Sequence, residues 1–123
     1  MSSEQRSFVR VQVSFPVEVR FEDTVILVDA PLNLSVKGVQ VATEQEIPMG
    51  TIAQVRIFVS VETPILAQAR VERIGDGKIA FEFLGVDFGS FDLLREIVRY
   101  HADDPDQADR EFQAHCGLKK RVA

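Results

Sequence analysis

Residues 9–21 read VRVQVSFPVEVRF, and this stretch carries the clearest structural pattern in the chain. Apolar residues occupy every second position from Val9 to Phe21, and mostly polar residues stand between them. Alternation with a period of two sends the two sets of side chains to opposite faces of a strand, so the pattern predicts a half-buried β-strand. Pro16 lies inside it and cannot donate a backbone hydrogen bond, which predicts a bulge or an unpaired edge position.

The same alternation predicts five further strands along the chain. They cover residues 25–34, 38–43, 53–61, 65–72 and 79–83. Gly75-Asp76-Gly77 suits a tight type I′ hairpin between the last two strands, and a change of phase at Gly85 predicts a β-bulge. Six short antiparallel strands indicate a barrel or a sandwich, and closure would remove exposed sheet edges. We therefore predict a mainly β fold, a six-stranded antiparallel β-barrel with a C-terminal α-helix.

Helical patterns are confined to the end of the chain. Ser90 is predicted to be the N-cap of a helix that ends near Tyr100 and covers one end of the barrel. The apolar stripe of this helix consists of Phe91, Leu94, Ile97 and Val98. Residues 104–115 predict a second helix, in which Phe112 is the only large apolar residue. We expect this second helix to be loosely docked or disordered.

Composition is that of one ordinary globular domain. The 123 residues are 46% hydrophobic and 27% charged, and no apolar run approaches the ~20 residues that span a bilayer. We therefore expect no membrane insertion. Cys116 is the only cysteine, which excludes an internal disulfide and predicts a cytoplasmic location. The net charge of −5 argues against a broad surface for a nucleic acid polymer.

Three parts of the chain are predicted from these patterns. Residues 1–8 are polar and lack a period, so they are predicted to form a flexible N-terminal arm. Residues 9–102 form the barrel and its helix. Residues 103–123 form an acidic C-terminal helix or tail.

A short polar motif, Asn33-Leu34-Ser35-Val36-Lys37-Gly38, ends the second predicted strand. Its alternation with Leu32 sends the leucines and Val36 into the core and the polar side chains outward. Asn33 and Ser35 can then offer an amide and a hydroxyl side by side to a flat polar ligand. Gly38 removes a side chain where a ligand or a turn needs room.

A second motif lies upstream, where Arg6 and Arg10 are separated by three residues. Arg-x-x-x-Arg followed by Asn-x-Ser-x-x-Gly resembles the signature of PilZ domains, bacterial receptors for the second messenger cyclic di-GMP. The resemblance covers roughly residues 5–100. The five signature positions are Arg6, Arg10, Asn33, Ser35 and Gly38.

This resemblance implies a PilZ-like split barrel that binds cyclic di-GMP as its ligand and needs no cofactor. The two arginines would meet the phosphodiesters and guanine faces of the ligand, and Asn33 and Ser35 would hydrogen-bond a guanine edge or backbone. The arm would change conformation on binding and relay the signal to an unknown downstream protein partner. Control of motility, adhesion or exopolysaccharide production is the expected output.

Other interpretations remain open at this point. The chain could be a PilZ-like scaffold that no longer binds nucleotide and acts by protein–protein contacts. A weaker possibility is a small barrel for another anionic ligand or for single-stranded nucleic acid. We find no pattern of nucleophile and base and no metal-ligand spacing, so we predict a binding protein and not an enzyme. A second Arg-x-x-x-Arg, Arg95 to Arg99, is expected to lie on the solvated face of the helix.

Overall fold

The computed structural model describes residues 8–122, and within this range the chain forms eight β-strands, two α-helices and a short 3₁₀ helix. The strands are β1 Val11–Val13, β2 Val17–Phe21, β3 Thr24–Val28, β4 Leu32–Leu34, β5 Gly38–Ala42, β6 Ile52–Ile57, β7 Ile65–Gly75 and β8 Lys78–Val86. The helices are α1 Phe88–His101 and α2 Pro105–Ala114, and the 3₁₀ helix is Cys116–Leu118.

All eight strands belong to one antiparallel sheet with the order β1-β4-β5-β8-β7-β6-β2-β3. Between residues 8 and 122 no ladder joins the edge strands β1 and β3, so the sheet is open. The prediction of a mainly β antiparallel fold with a C-terminal helix is therefore confirmed. The predictions of six strands and of a closed barrel were wrong.

Two proline-containing breaks explain the difference in strand number. The first predicted strand divides around residues 14–16, which include Pro16, and the second divides around residues 29–31, which include Pro31. Proline has no N–H group for a ladder, so each long strand loses its pairing there and its two parts join different neighbours. As a result β1 pairs with β4, whereas β2 pairs with β3 and β6.

Local turn predictions agree with the structure. Asp76 and Gly77 have φ values of 56° and 71°, and two consecutive positive φ values are the mark of a type I′ turn. The pairing of β7 with β8 shifts register between Gln68 and Ala69, which face Gly85 and Phe83. This shift is the β-bulge that the change of phase predicted.

The core lies on one face of the sheet, beneath α1. Alternate strand residues such as Val17, Val19 and Leu34 are at most 1% exposed. Their burial is the main driving force for the fold, at about 25 cal/mol per Å² of apolar surface removed from water. Helix α1 adds Phe91 and Leu94 to this core.

Both helices differ from the sequence predictions in one respect. Helix α1 begins at Phe88, and Ser90 is buried within its first turn, where its hydroxyl accepts a hydrogen bond from the Leu66 N–H at 2.8 Å. Ser90 is therefore not the N-cap, because its hydroxyl binds a neighbouring strand. The ring of Phe112 in α2 is 1% exposed and lies 5.4 Å from that of Phe91.

Helix α2 is thus docked on α1, although loose docking or disorder was expected. Its N-terminus is capped by Asp104, whose carboxylate accepts the Gln107 N–H at 3.1 Å. Buried Ala108 lets the helix approach the core closely. The division of the chain at residue 102 remains a prediction, and the arm of residues 1–8 lies outside the described residues except for Phe8. Neither described helix is long and apolar enough to cross a membrane.

Candidate functional site

Residues 35–38, together with Asn33, form the motif turn that connects β4 to β5. The Ser35 N–H donates to the Gly38 carbonyl oxygen at 3.0 Å, and the Lys37 N–H donates to the Ser35 hydroxyl at 3.1 Å. Val36, in the middle of the turn, is 0% exposed. Two hydrogen bonds and one buried side chain therefore fix the turn before any ligand binds.

Ser35 has a structural role that the sequence did not reveal. It is 7% exposed, and its hydroxyl oxygen already accepts the Lys37 N–H. A hydroxyl group can accept and donate at the same time, so its O–H remains available as a donor. Ser35 can therefore still bind a ligand, either by donating this hydrogen or by accepting at the second lone pair of its oxygen.

Gly38 is required by close strand packing. A Cβ atom placed on Gly38 would overlap the carbonyl oxygen of Phe81 in β8. Gly38 pairs with Glu82 of the same strand, so relief of the overlap would disturb the β5–β8 ladder. The room that Gly38 leaves is therefore used first by the chain's own backbone.

A polar row crosses the outer face of five neighbouring strands. In register order it consists of Gln12, Asn33, Gln40, Ala80 and Arg73, from β1, β4, β5, β8 and β7. The side-chain amide of Asn33 donates to the Gln40 side-chain oxygen at 3.4 Å. Because Ala80 is small, the row has a depression between Gln40 and Arg73, with amides on one side and a guanidinium on the other.

This depression is part of a cleft with a volume of about 240 Å³. Its walls come from the N-terminal segment (residues 8–10), the motif turn, β5, β7 and β8. Four of the five residues predicted from the sequence line it, namely Arg10, Asn33, Ser35 and Gly38. The fifth, Arg6, lies outside the described residues.

The position of Arg10 follows from strand pairing. Val11 pairs with Leu34 in the antiparallel register of β1 and β4. One further step along this register places Arg10 beside Ser35, and both residues line the cleft. The first arginine that the structure describes therefore meets the motif turn on the outer face of the sheet.

Sequence reasoning did not assign several other lining residues of the cleft, among them Phe8, Lys37 and Arg73. Phe8 lies between the two motif arginines, and Lys37 lies within the second motif, so both stood in stretches already singled out. Arg73 comes from β7, about 35 residues beyond the motif, and no local pattern connects it to the site. Only the pairing of β7 with β8 brings it there.

The cleft is locally basic in a chain of net charge −5. Among residues 8–122, Arg10, Lys37 and Arg73 line it, against a single carboxylate, that of Glu72. Lys37 Nζ also lies 3.9 Å from a carboxylate oxygen of Glu82, which partly compensates its charge. The two arginines offer planar N–H groups that suit phosphate and carboxylate oxygens, so the cleft is suited to a small anionic ligand.

Phe8 contributes an aromatic surface at the rim of the cleft. Its ring lies edge-on to the His115 ring with centroids 5.3 Å apart, and Lys37 Nζ is 5.8 Å from its centroid. An aromatic ring beside cationic side chains can contact a nucleobase while the cations bind phosphate.

The second Arg-x-x-x-Arg has a different environment. Arg99 Nε donates to Asp109 Oδ2 at 2.9 Å, which links α1 to α2. This hydrogen bond, together with the attraction of the Asp109 carboxylate, raises the pKa of Arg99 above its usual value. Arg99 therefore stabilises helix packing at the surface and takes no part in the cleft.

The fold and the cleft together define an antiparallel β domain that carries an anion-suited site on its outer face. A comparison with protein families matches residues 4–100 to the PilZ domain. The chain therefore belongs to the PilZ family, a family of cyclic di-GMP receptors. This confirms the resemblance that the two motifs indicated.

Solved structures agree with the family at the level of the fold. The crystal structure of the PilZ domain of CeSA from a cellulose-synthesizing bacterium superposes with a TM-score of 0.55. The two chains are 24% identical, and the match covers 72% of this chain and 93% of the other. Among curated proteins, none matches this chain.

Proposed function

We propose that this protein is a cyclic di-GMP receptor and that the nucleotide binds in the cleft beside the motif turn. One observation carries the proposal. Residues from separate parts of the sequence, Arg10, Asn33, Ser35 and Gly38, line one cleft on the outer face of the sheet. Each of these positions belongs to the motif pair that resembles the family signature.

In this proposal the positive side chains bind the phosphodiesters. Arg10, and Arg6 from the segment before it, donate forked hydrogen bonds to phosphate oxygens and stack on guanine faces. The cation of Arg73 on the opposite side of the cleft supports the same charge complementarity. A ligand with two negative charges fits a site whose cations come from both sides.

The polar row recognises the base in this proposal. Asn33 has amide and carbonyl groups near the cleft, and Ser35 has a free hydroxyl hydrogen. Guanine offers both donors and acceptors on its edge, so these two groups can read it. Phe8 provides an apolar ring at the rim for the rest of the ligand.

We further propose that binding changes the conformation of the N-terminal arm and relays the signal to a protein partner in the cytoplasm. The arm carries one arginine of the pair, so a ligand that binds both arginines restricts it. The new arrangement of the arm and the cleft rim is then the surface that the partner recognises. The expected outputs are motility, adhesion or exopolysaccharide control.

Calorimetric titration with cyclic di-GMP tests the binding proposal. We expect the parent protein to bind, and Arg6→Ala and Arg10→Ala each to weaken binding by about tenfold or more, because each removes a charge-assisted hydrogen bond. Arg95→Ala is the matched control, since Arg95 begins the second Arg-x-x-x-Arg on α1, away from the cleft. Its affinity should equal that of the parent.

Three results would contradict the proposal in different ways. Absence of binding by the folded parent protein would favour the scaffold that acts by protein–protein contacts. Binding that is unchanged in Arg10→Ala would show that the nucleotide lies elsewhere on the molecule. Equal losses in Arg10→Ala and Arg95→Ala would indicate a nonspecific effect of net charge.

A further inference from the structure

A carboxylate near the end of the chain holds the backbone just before Arg10. The Val9 N–H donates to Glu111 Oε1 at 2.9 Å, across 102 residues of sequence. Glu111 lies in α2 and is only 8% exposed. Helix α2 lies beyond residues 4–100, the part of the chain that matches the PilZ family.

The position of Val9 explains why this contact matters. Val9 lies outside β1, and β1 is an edge strand that pairs only with β4 in the described part of the chain. The Val9 N–H therefore has its hydrogen-bond partner in a helix instead of in the sheet. A single side-chain carboxylate accepts the kind of backbone hydrogen bond that a carbonyl group of a neighbouring strand accepts elsewhere in the sheet.

Glu111 is itself held firmly. Its second carboxylate oxygen accepts a hydrogen bond from the Gln107 side chain at 3.1 Å, one helical turn earlier. A mostly buried carboxylate is costly unless hydrogen bonds satisfy it, so both contacts are needed for its burial. The helix is fixed in turn by the Asp104 cap and by buried Phe112.

The end of α2 makes a second contact with the same segment. His115 Nδ1 lies 2.7 Å from the Glu111 carbonyl oxygen, and the His115 ring lies edge-on to Phe8. Helix α2 and the residue that follows it thus contact Val9 through a carboxylate and Phe8 through a ring. These two residues directly precede Arg10, which lines the cleft.

We infer that Glu111 is a positioning residue for the nucleotide site, and this inference rests on the proposed function. By fixing the Val9 backbone, it sets the direction in which Arg10 leaves the sheet. Arg10 and the backbone before it then lose less conformational entropy when the nucleotide binds. The coupling is reciprocal, so the bound nucleotide also stabilises the docking of α2.

The test compares three variants of the full chain. Glu111→Ala removes the acceptor, Glu111→Gln keeps a carbonyl oxygen at the same place without the charge, and Gln113→Ala changes an exposed residue of the same helix. Cyclic di-GMP affinity is measured by calorimetry, and exchange of the Val9 amide is followed by NMR with and without the nucleotide. Thermal unfolding shows that each variant is folded at the temperature of measurement.

We expect Glu111→Ala to bind about tenfold more weakly and to exchange the Val9 amide faster, because one hydrogen bond is lost. Glu111→Gln should remain within about threefold of the parent, since an amide oxygen replaces the carboxylate oxygen as acceptor. Gln113→Ala should match the parent in both measurements. Rescue by glutamine separates positioning through the hydrogen bond from an effect of charge.

Several results would overturn the inference. Parental affinity in folded Glu111→Ala would show that Glu111 serves folding alone, and tighter binding would show that it restrains the segment against the ligand. Weak binding by Glu111→Gln in which exchange of the Val9 amide is as slow as in the parent would exclude the hydrogen bond as the cause. No binding by the parent would refute the proposed function and this inference together, whereas equal binding by parent and Glu111→Ala refutes only the inference.

Discussion

The two halves of the proposed site are built in different ways. The motif turn lies between two paired strands, and its backbone is fixed by internal hydrogen bonds and by buried Val36. The N-terminal segment, residues 8–10, precedes a short edge strand and is held by side chains of α2 and of His115 just after it. One half is set by the sheet, and the other depends on a helix from the opposite end of the chain.

In the proposed function, this difference separates the part of the site that stabilises the fold from the part that responds to the ligand. A preformed turn requires no ordering when a ligand arrives. The hydrogen bonds that it makes to the ligand therefore contribute fully to affinity. The N-terminal segment has few backbone contacts, and such segments open with low free energy. In the proposed receptor, the motif turn would be the rigid surface for recognition and the N-terminal segment the adjustable surface for signalling. Substitutions in the first half should therefore reduce the free energy of unfolding more than substitutions in the second.

The largest loss of stability is expected for Gly38→Ala. The added methyl group overlaps the Phe81 carbonyl oxygen, and a backbone atom cannot rotate away as a side chain can. Overpacking of this kind costs about 1–3 kcal/mol, and we expect a value at the upper end. Denaturant unfolding measures it. Gly89→Ala is the matched control, because no other part of the fold lies within 4 Å of the position that its methyl group would take, and alanine favours the helix.

A decrease of less than about 0.5 kcal/mol in Gly38→Ala would contradict the close packing of β5 on β8. Nucleotide affinity in the same variant sharpens the comparison. A protein that remains folded and loses binding would show that the position of the motif turn, and not only its presence, determines recognition.

An intermediate loss is expected for Ser35→Ala. The change leaves the Lys37 N–H without its acceptor in a partly buried turn, which costs about 1–2 kcal/mol. Ser60→Ala removes a similar side-chain acceptor from the Thr63 N–H at an exposed position, where water replaces it. Chemical denaturation of both variants should show a clear loss for the first and almost none for the second. Equal losses would mean that the Ser35 hydroxyl does not stabilise the turn.

The smallest loss of stability is expected for Phe8→Ala in the N-terminal segment. Its ring is only partly buried, so the free energy of unfolding should fall by about 1 kcal/mol or less. Cyclic di-GMP affinity should nevertheless fall severalfold, because the ring lines the cleft. Phe58→Ala, a partly exposed phenylalanine that does not line the cleft, should leave affinity unchanged. A stability loss larger than that of Gly38→Ala would reverse the comparison between the halves.

Much of the fold was predictable from local pattern. Alternating apolar residues identified the strand regions, and Asp76-Gly77 identified the hairpin, because strand faces and tight turns depend on neighbouring residues. The number of strands was not predictable. Pro16 was recognised as an interruption, but whether a proline gives a bulge or two separate strands depends on which partners lie beside it.

The candidate site was also predictable only in part. Arg10, Asn33, Ser35 and Gly38 were found because their spacing is a local signature, and the structure brings them to one cleft. The buried position of Ser35 and the packing requirement at Gly38 were not predictable. Both depend on contacts with backbone that folds against them from other segments.

By itself, the sequence of this protein determined the strand faces, the main turns, the family and the motif residues, because each follows from residues close together along the chain. Only the tertiary structure decided that the sheet stays open, that Arg73 reaches the cleft and that Glu111 holds Val9. These features join segments tens of residues apart. Packing of the whole core selects such contacts, and no short stretch of sequence encodes them.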